Sequence, residues 1–313
     1  MDAPASDASH TAEYMAFFRA LESARPFSER LVNDPFASGF LRPSLRFAAR
    51  LAMLPWLGRG VPAFVDCRQP GARSSGIART RLIDDVTAET LQTDARQLVI
   101  LGAGFDCRAY RIPGLQRIRV FEVDRRSMLA RKRERLRELL EGTPSHVTFV
   151  EIDFNSQDLF EVLTEAGIDW ACRTLFIWEG VTNYLSATAV DAVFRGLVEH
   201  APHSRLVFTY VDRTVLDRSP RFPDGPALLR RMERLGEPWT FGFHPAELSE
   251  YLQTRGLRLI WDMDAREYRA RYMTPGEASM GGYDFYHVAI ANVFGCSEIP
   301  QSKSAPRLAE SGV

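Results

Sequence analysis

The sequence predicts a doubly wound α/β fold with a mostly parallel, seven-stranded sheet. Short apolar runs at residues 97–101, 119–123, 147–152, 174–178 and 206–210 read as buried strands. Helical patterns separate them, which implies parallel crossovers. The runs end at Gly102, Asp124, Asp153 and Glu179, with the fifth ending near Asp212. Residues 257–261 and 286–293 supply two further strands.

The elements ahead of the sheet are helical. Residues 11–25 place Tyr14, Phe17, Phe18 and Leu21 on one face of a helix. A second helix is read over residues 45–54, ended by Pro55, and a third from Ser75 onward, carrying Arg79, Ile83 and Val86. Roughly the first 95 residues are therefore expected to be a helical cap (11–95) over a core at 96–212 and 246–295. Residues 213–245, rich in Pro and Gly with a helical centre, read as an insertion after the fifth strand. Residues 1–10 and 298–313 read as flexible tails. No repeat or linker breaks the 313 residues, so one continuous domain is expected.

Composition narrows the function classes. The chain is 45% hydrophobic and 25% charged with a net charge of −1, so it carries no nucleic-acid footprint. The basic stretch 125–137 reads as a solvated helix face. Cys67, Cys107, Cys172 and Cys296 are too scattered for a zinc site or a disulfide scaffold, which points to a reducing, cytoplasmic setting. The acidic N-terminus is no signal peptide, and no run of about 18 apolar residues spans a membrane. The expected partner is a small molecule, with the chain a monomer or homodimer.

The chemistry gathers at the strand ends, where open α/β sheets bind ligands. Asp106, Asp124, Asp153 and Glu179 stand at or just after the first four of them. Gly102 and Gly104 allow a tight turn and close ligand approach. A dinucleotide site would want a third glycine near position 107, but Cys107 stands there with Asp106 beside it. An anionic side chain suits an ammonium or sulfonium group better than a pyrophosphate. Asp124, 22 residues after Gly102, suits ribose hydroxyls. Arg79 and Arg81 read equally well as partners of Asp84 and Asp85 on their own helix or as clamps for a ligand carboxylate. Arg19 carries the same ambiguity.

The series GIARTRLIDD, VILGAGFDCRAYRI, FEVDRRSMLARK, VEIDF and IWEGVTNYL resembles the leucine carboxyl methyltransferase family. It looks most like a bacterial branch of O-methyltransferases associated with polyketide biosynthesis, and AFFRALESARPFSERLVNDPFA is similar to that branch's opening. The resemblance covers about residues 11–295. It implies a class I methyltransferase fold (Rossmann-like) with a helical lid, and S-adenosyl-L-methionine as cofactor. By position it implies Arg79 on the methionine carboxylate, Arg19 as a lid contact, and Gly102 along the ligand backbone. It further implies Asp124 on the ribose, Asp153 and Phe154 at the adenine, Glu179 by the amine and sulfonium, and Tyr184 on the acceptor side. Cys107 and Phe154 depart from the Thr and Leu that the family often has there.

Methyl transfer is an in-line displacement, so positioning does most of the work. A carboxylate acceptor is already ionised, whereas a phenol with a pKa of about 10 benefits from a base. His244 is the best-placed base by sequence order, but as the residue before Pro245 it reads more readily as a helix start; His287 reads as packed core. No base is assigned, and the expected acceptor is a carboxylate, or a phenolic hydroxyl, of a small, largely apolar, natural-product-like molecule. Phe17, Phe18, Phe47, Trp56, Phe64, Phe222, Trp239, Phe241 and Phe243 could line its pocket, although cap packing claims most of them. Methylation of a protein C-terminal carboxylate is the alternative within the class. An NAD-dependent oxidoreductase or a non-catalytic nucleotide-binding protein are the alternatives outside it.

Overall fold

The computed structural model describes residues 10–54, 58, 60–140, 142–154, 156–278 and 281–294. Its strands are β1 (Gln97–Leu101), β2 (Arg119–Asp124), β3 (Val147–Glu151), β4 (Thr174–Trp178), β5 (Arg205–Val211), β6 (Leu257–Asp264) and β7 (Tyr286–Val293). They form one sheet in the order β3-β2-β1-β4-β5-β7-β6. The first five are parallel, and β7 runs antiparallel between β5 and β6. The chain order reverses beside β1, which pairs with β2 on one side and β4 on the other. That is the switch point where such sheets open a crevice.

Every residue of β1 and β4 is buried, which is why these strands read as unbroken apolar runs. Alternate residues feed two apolar layers. Leu98, Ile100, Leu175 and Ile177 join the cap side, and Val99, Leu101, Phe176 and Trp178 join the opposite side. β6 lies at the sheet edge with a register shift between Leu259 and Trp261. It extends to Asp264, past the expected 261, because its outer half is only partly buried and carries no clean apolar signal.

Four helices precede the sheet: α1 (His10–Ser23), α2 (Pro43–Leu51), α3 (Gly60–Arg68) and α4 (Ala72–Leu91). The helix read over 45–54 starts earlier, with Pro43 at a position where a missing N–H costs little. α3 was not expected from the sequence, and none of its residues is buried, so it carries no apolar periodicity to read. α4 begins after Gly71, whose φ of +76° turns the chain into it. It packs against α1 and α12 (Ala265–Tyr272). The remaining helices are α5 (Arg108–Arg111), α6 (Arg126–Leu140), α7 (Leu159–Glu165), α8 (Ala187–His200), α9 (Arg213–Leu216), α10 (Gly225–Arg234), α11 (Pro245–Gln253) and α13 (Pro275–Ala278). Trp56, Cys296, the first nine residues of the tail expected at 1–10 and the tail expected at 298–313 lie outside the described residues, while His10 already begins α1. No helix among the described residues is long and apolar enough to cross a membrane.

The basic stretch 125–137 is not purely a solvated face. Lys132 on α6 is fully buried, 2.8 Å from Glu122 of β2, and also donates to the Ala103 carbonyl at 3.3 Å. A second buried cation joins cap to sheet. Arg108, only 2% exposed, donates to Asp84 of α4 at 2.8 Å, to Asp106 at 2.5 Å and to Glu179 at 2.8 Å. Arg111 binds the same Asp84 at 2.7 and 2.8 Å. Burial pushes the Asp106 and Glu179 carboxyls up, but the facing cations outweigh it; Asp106 falls to about 2, and Glu179 falls below the ordinary glutamate value.

Arg108→Met strands Asp106 and leaves Asp84 and Glu179 with Arg111 and Arg79 alone, and is expected to destabilise the chain by about 3–5 kcal/mol, read as the loss of unfolding free energy in denaturant. Because the folded-state pKa values of Asp106 and Glu179 are depressed, the stabilisation is present above pH ~4 and fades as the pH falls through them. The gap between wild type and variant should therefore narrow toward pH 2; a gap unchanged by acid would contradict the assignment.

Candidate active site

The crevice begins at the turn after β1. Gly102 has φ +69° and Gly104 φ +41°, conformations that side chains resist. The Gly102 and Ala103 N–H groups both donate to the Val123 carbonyl, at 2.8 and 2.9 Å, which folds the turn against β2. A Cβ on Gly102 would come within 2.2 Å of Val181 Cγ2, so position 102 also needs glycine sterically. Asp124 follows β2. Its Oδ2 accepts from the Gly104 N–H at 2.7 Å and its Oδ1 from the Arg125 N–H at 2.7 Å. Each oxygen keeps acceptor capacity toward the crevice. Burial pushes its pKa up, against the pull of those two N–H groups and of Arg125 and Lys132.

These groups line a cavity of about 380 Å³, together with Arg19, Arg79, Asp106, Asp153, Phe154, Glu179 and Tyr184. The structure thus brings ten of the eleven candidate residues to one place. His244 is the exception: it is the residue before α11 and lines neither cavity described here. His287 is core, stacked on Tyr210 at 4.7 Å and 3.2 Å from Asp262.

Several side chains differ from expectation in what they touch. Asp106 is not free to meet a cationic ligand alone, because Arg108 already holds it through both main-chain and side-chain donors. Arg79 does not pair along its own helix. Its Nε donates to Glu179 Oε1 at 2.8 Å, and its guanidinium sits 5.2 Å from the Tyr286 ring centre. Arg81 is the surface partner instead, 2.8 Å from Asp85. Arg19 is 7% exposed, binds Asp34 at 2.8 Å and donates to the Phe105 carbonyl at 2.5 Å. Sequence reading missed Arg108 and Arg111; their burial depends on α5 tucking under α4, and nothing in their local pattern marks it.

A second, smaller cavity of about 80 Å³ opens beside the first. Thr11, Met15, Arg79, Tyr184 and Tyr286 line both. Its own walls are aromatic and apolar, with Tyr14, Phe18, Trp239 and Tyr283 prominent. Of the eight described aromatics among those named from sequence, only Phe18 and Trp239 face it. Phe17, Phe222, Phe241 and Phe243 are packed in the core, and Phe47 and Phe64 are 63% and 61% exposed. The roof is tied by Thr11, which donates to Glu237 Oε2 at 2.5 Å and accepts from the Tyr184 hydroxyl at 3.3 Å. Burial raises the Tyr184 pKa, so its phenol stays protonated near neutral pH.

The first cavity presents charges and acceptors that suit S-adenosyl-L-methionine. Its methionine end is a zwitterion, and the Arg79–Glu179 pair presents one cation and one anion 2.8 Å apart. Its ribose carries two vicinal hydroxyls, and Asp124 presents two carboxylate oxygens beside the Gly102–Ala103–Gly104 turn. Among the described residues no three His, Cys, Asp or Glu side chains gather as metal ligands.

Comparison with known proteins agrees. The leucine carboxyl methyltransferase family model matches residues 12–198. A Mycolicibacterium smegmatis protein named as a candidate S-adenosyl-L-methionine-dependent methyltransferase is 30% identical over 276 residues, covering 80% of this chain and 84% of its own. A Bacillus subtilis protein of the same designation is 24% identical over 265 residues, covering 84% of this chain and 79% of its own. A DUF574 family protein from Streptomyces avermitilis shares the fold with a TM-score of 0.56 at 15% identity, over 92% of this chain and 98% of that one. With the family match spanning more than half of its residues, the chain belongs to the leucine carboxyl methyltransferase family, and it is a methyltransferase whose cofactor is S-adenosyl-L-methionine.

Proposed function

We propose that the chain methylates an oxygen of a small, largely apolar acceptor, preferentially a carboxylate, of the natural-product kind handled by the polyketide-associated branch it resembles. The observation that carries this is the junction of the two cavities. Arg79, Tyr184 and Tyr286 belong to both, so the donor cavity at the strand ends meets an aromatic cavity sized for a small molecule. Bound in the first cavity, S-adenosyl-L-methionine supplies an electrophilic methyl group on a cationic sulfonium.

In this reading the chain's own groups bind and orient. Asp124 accepts from the ribose hydroxyls. Arg79 takes the methionine carboxylate, Glu179 the amine, and Arg19 closes the lid side. Asp153 and Phe154 flank the adenine. Tyr184 faces the acceptor. Neither cavity is lined by a histidine, and Tyr184 is held protonated, which favours an acceptor that arrives already ionised. A phenolic acceptor would instead pass its proton along Tyr184 and Thr11 to Glu237, the chain of hydrogen bonds that the roof provides.

Asp124→Ala is expected to weaken S-adenosyl-L-methionine binding about 10- to 100-fold by calorimetry, the worth of one or two charge-assisted hydrogen bonds. Wild-type affinity should also fall in acid, beginning above the ordinary aspartate pKa of ~4, since the raised Asp124 must be ionised to accept from two hydroxyls. Unchanged affinity in Asp124→Ala would remove the donor assignment. Glu237→Gln separates the acceptor classes. With labelled donor and a panel of aromatic acids and phenols, kcat on acids should be unaffected, while any phenol turnover should drop by about 10²-fold or more. No methyl transfer to any acid by the wild-type protein would overturn the carboxylate preference.

A further inference from the structure

Arg231 on α10 stands apart from most arginines around the two cavities. Arg19, Arg79, Arg108 and Arg111 each hold a carboxylate at 2.5–2.8 Å, and Arg125 lines the donor cavity beside Asp124. Arg231 lines the aromatic cavity, and among the described residues no carboxylate forms an ion pair with it. Its hydrogen-bond partner is a neutral amide: with the Gln69 side chain oriented so that its oxygen faces the guanidinium, the two nitrogens donate at 2.6 and 2.8 Å. The guanidinium also lies 5.7 Å from the Tyr14 ring centre. A guanidinium has five donors in a planar fork matched to a carboxylate. Held by an amide oxygen and a ring face, in a half-buried apolar wall, it lacks the anion that such a setting demands.

Its position adds direction. Arg231 lines only the second cavity, whereas Arg79, Tyr184 and Tyr286 line both. The methyl group must be delivered at the shared mouth, so a group on Arg231 is not the one methylated. Between these ends the walls suit a flat ring. Tyr283 and Tyr286 lie parallel with centres 6.3 Å apart, and Trp239 meets Tyr286 edge-on at 5.6 Å.

We propose that the acceptor is an aromatic molecule with two oxygen functions, one reacting at the junction with the donor cavity and a second, anionic one held by Arg231 and left unmethylated. This rests on the aromatic cavity being the acceptor site. Gln69 orients the guanidinium, and Arg231 therefore sets which end of the acceptor reaches the donor.

The test uses the full chain loaded with S-adenosylhomocysteine. Benzene- and naphthalene-carboxylates bearing a hydroxyl or second carboxyl across the ring are titrated against their matching carboxamides, followed by calorimetry. The anions should bind about 10- to 100-fold more tightly than the amides, the worth of a charge-assisted pair. Arg231→Gln should abolish that preference and leave S-adenosylhomocysteine affinity unchanged, which also reports that the variant folds; Arg231→Lys should restore part of it. Equal binding of acids and amides, a preference that survives in Arg231→Gln, or no binding of any acid at millimolar concentration would overturn the proposal. Methyl transfer from labelled donor is read separately. Turnover of the neutral amides at full rate would keep the acceptor assignment while removing Arg231 from it, and an anion preference without turnover of any compound would keep the anion site while removing the acceptor assignment.

Discussion

Arg108 is the charge around which the site is organised. It sits at 2% exposure between three carboxylates contributed by three different segments: Asp84 on the cap helix α4, Asp106 in the turn after β1 and Glu179 after β4. A buried guanidinium is costly unless it is paired and fully hydrogen-bonded. Here the pairing satisfies that demand and at the same time fixes where the cap lies over the strand ends. Arg111 doubles the contact to Asp84, and Lys132, against Glu122 and the Ala103 carbonyl, holds the glycine turn from below.

This arrangement also prepares the donor site electrically. Glu179 is shared between Arg108 and Arg79. A zwitterionic ligand end can therefore exchange into an existing ion pair rather than bring charge into an empty apolar hole. Such an exchange avoids the desolvation cost that makes isolated buried charges unfavourable. Asp124 is different: its neighbours are two N–H groups at 2.7 Å and its pKa is raised, so it is a carboxylate with spare acceptor capacity facing the cavity. Ion-paired Glu179 and a less compensated Asp124 form a graded surface along one cavity.

Much of this was legible in the chain. The five parallel strands follow from short apolar runs, because strands buried on both faces need no polar alternation. The acidic residues at the strand ends follow from the rule that crevices open at the carboxyl ends of such sheets. The glycine turn was legible because positive φ and the closeness of Val181 leave no other residue a good choice at position 102. Less was legible where burial depends on distant packing. α3 has no buried residue, so no pattern marked it. Lys132 sits in a run of basic residues that is otherwise surface, and only the approach of α6 to β2 puts it opposite Glu122. Phe17, Phe222, Phe241 and Phe243, picked out from sequence for the pocket, went into the core instead, since periodicity says that a ring is buried, not which side of a helix or sheet receives it.

Sequence alone determined the sheet, the residues at its strand ends and the family, all of which depend on local pattern and on motifs read in order. Tertiary structure alone decided who pairs with whom. Arg79 could have bonded along its own helix and bonds Glu179, 100 positions away, instead. Arg108 gathers acids from positions 84, 106 and 179. Arg231 is left facing an aromatic cavity with an amide for company. The physical reason is the same in each case: a charge takes whatever partner shares its low-dielectric surroundings, and that neighbourhood is made by packing of segments far apart in the chain. The turn at Gly102–Gly104 marks the boundary, because its shape was written locally and its meaning came from the buried charges assembled around it.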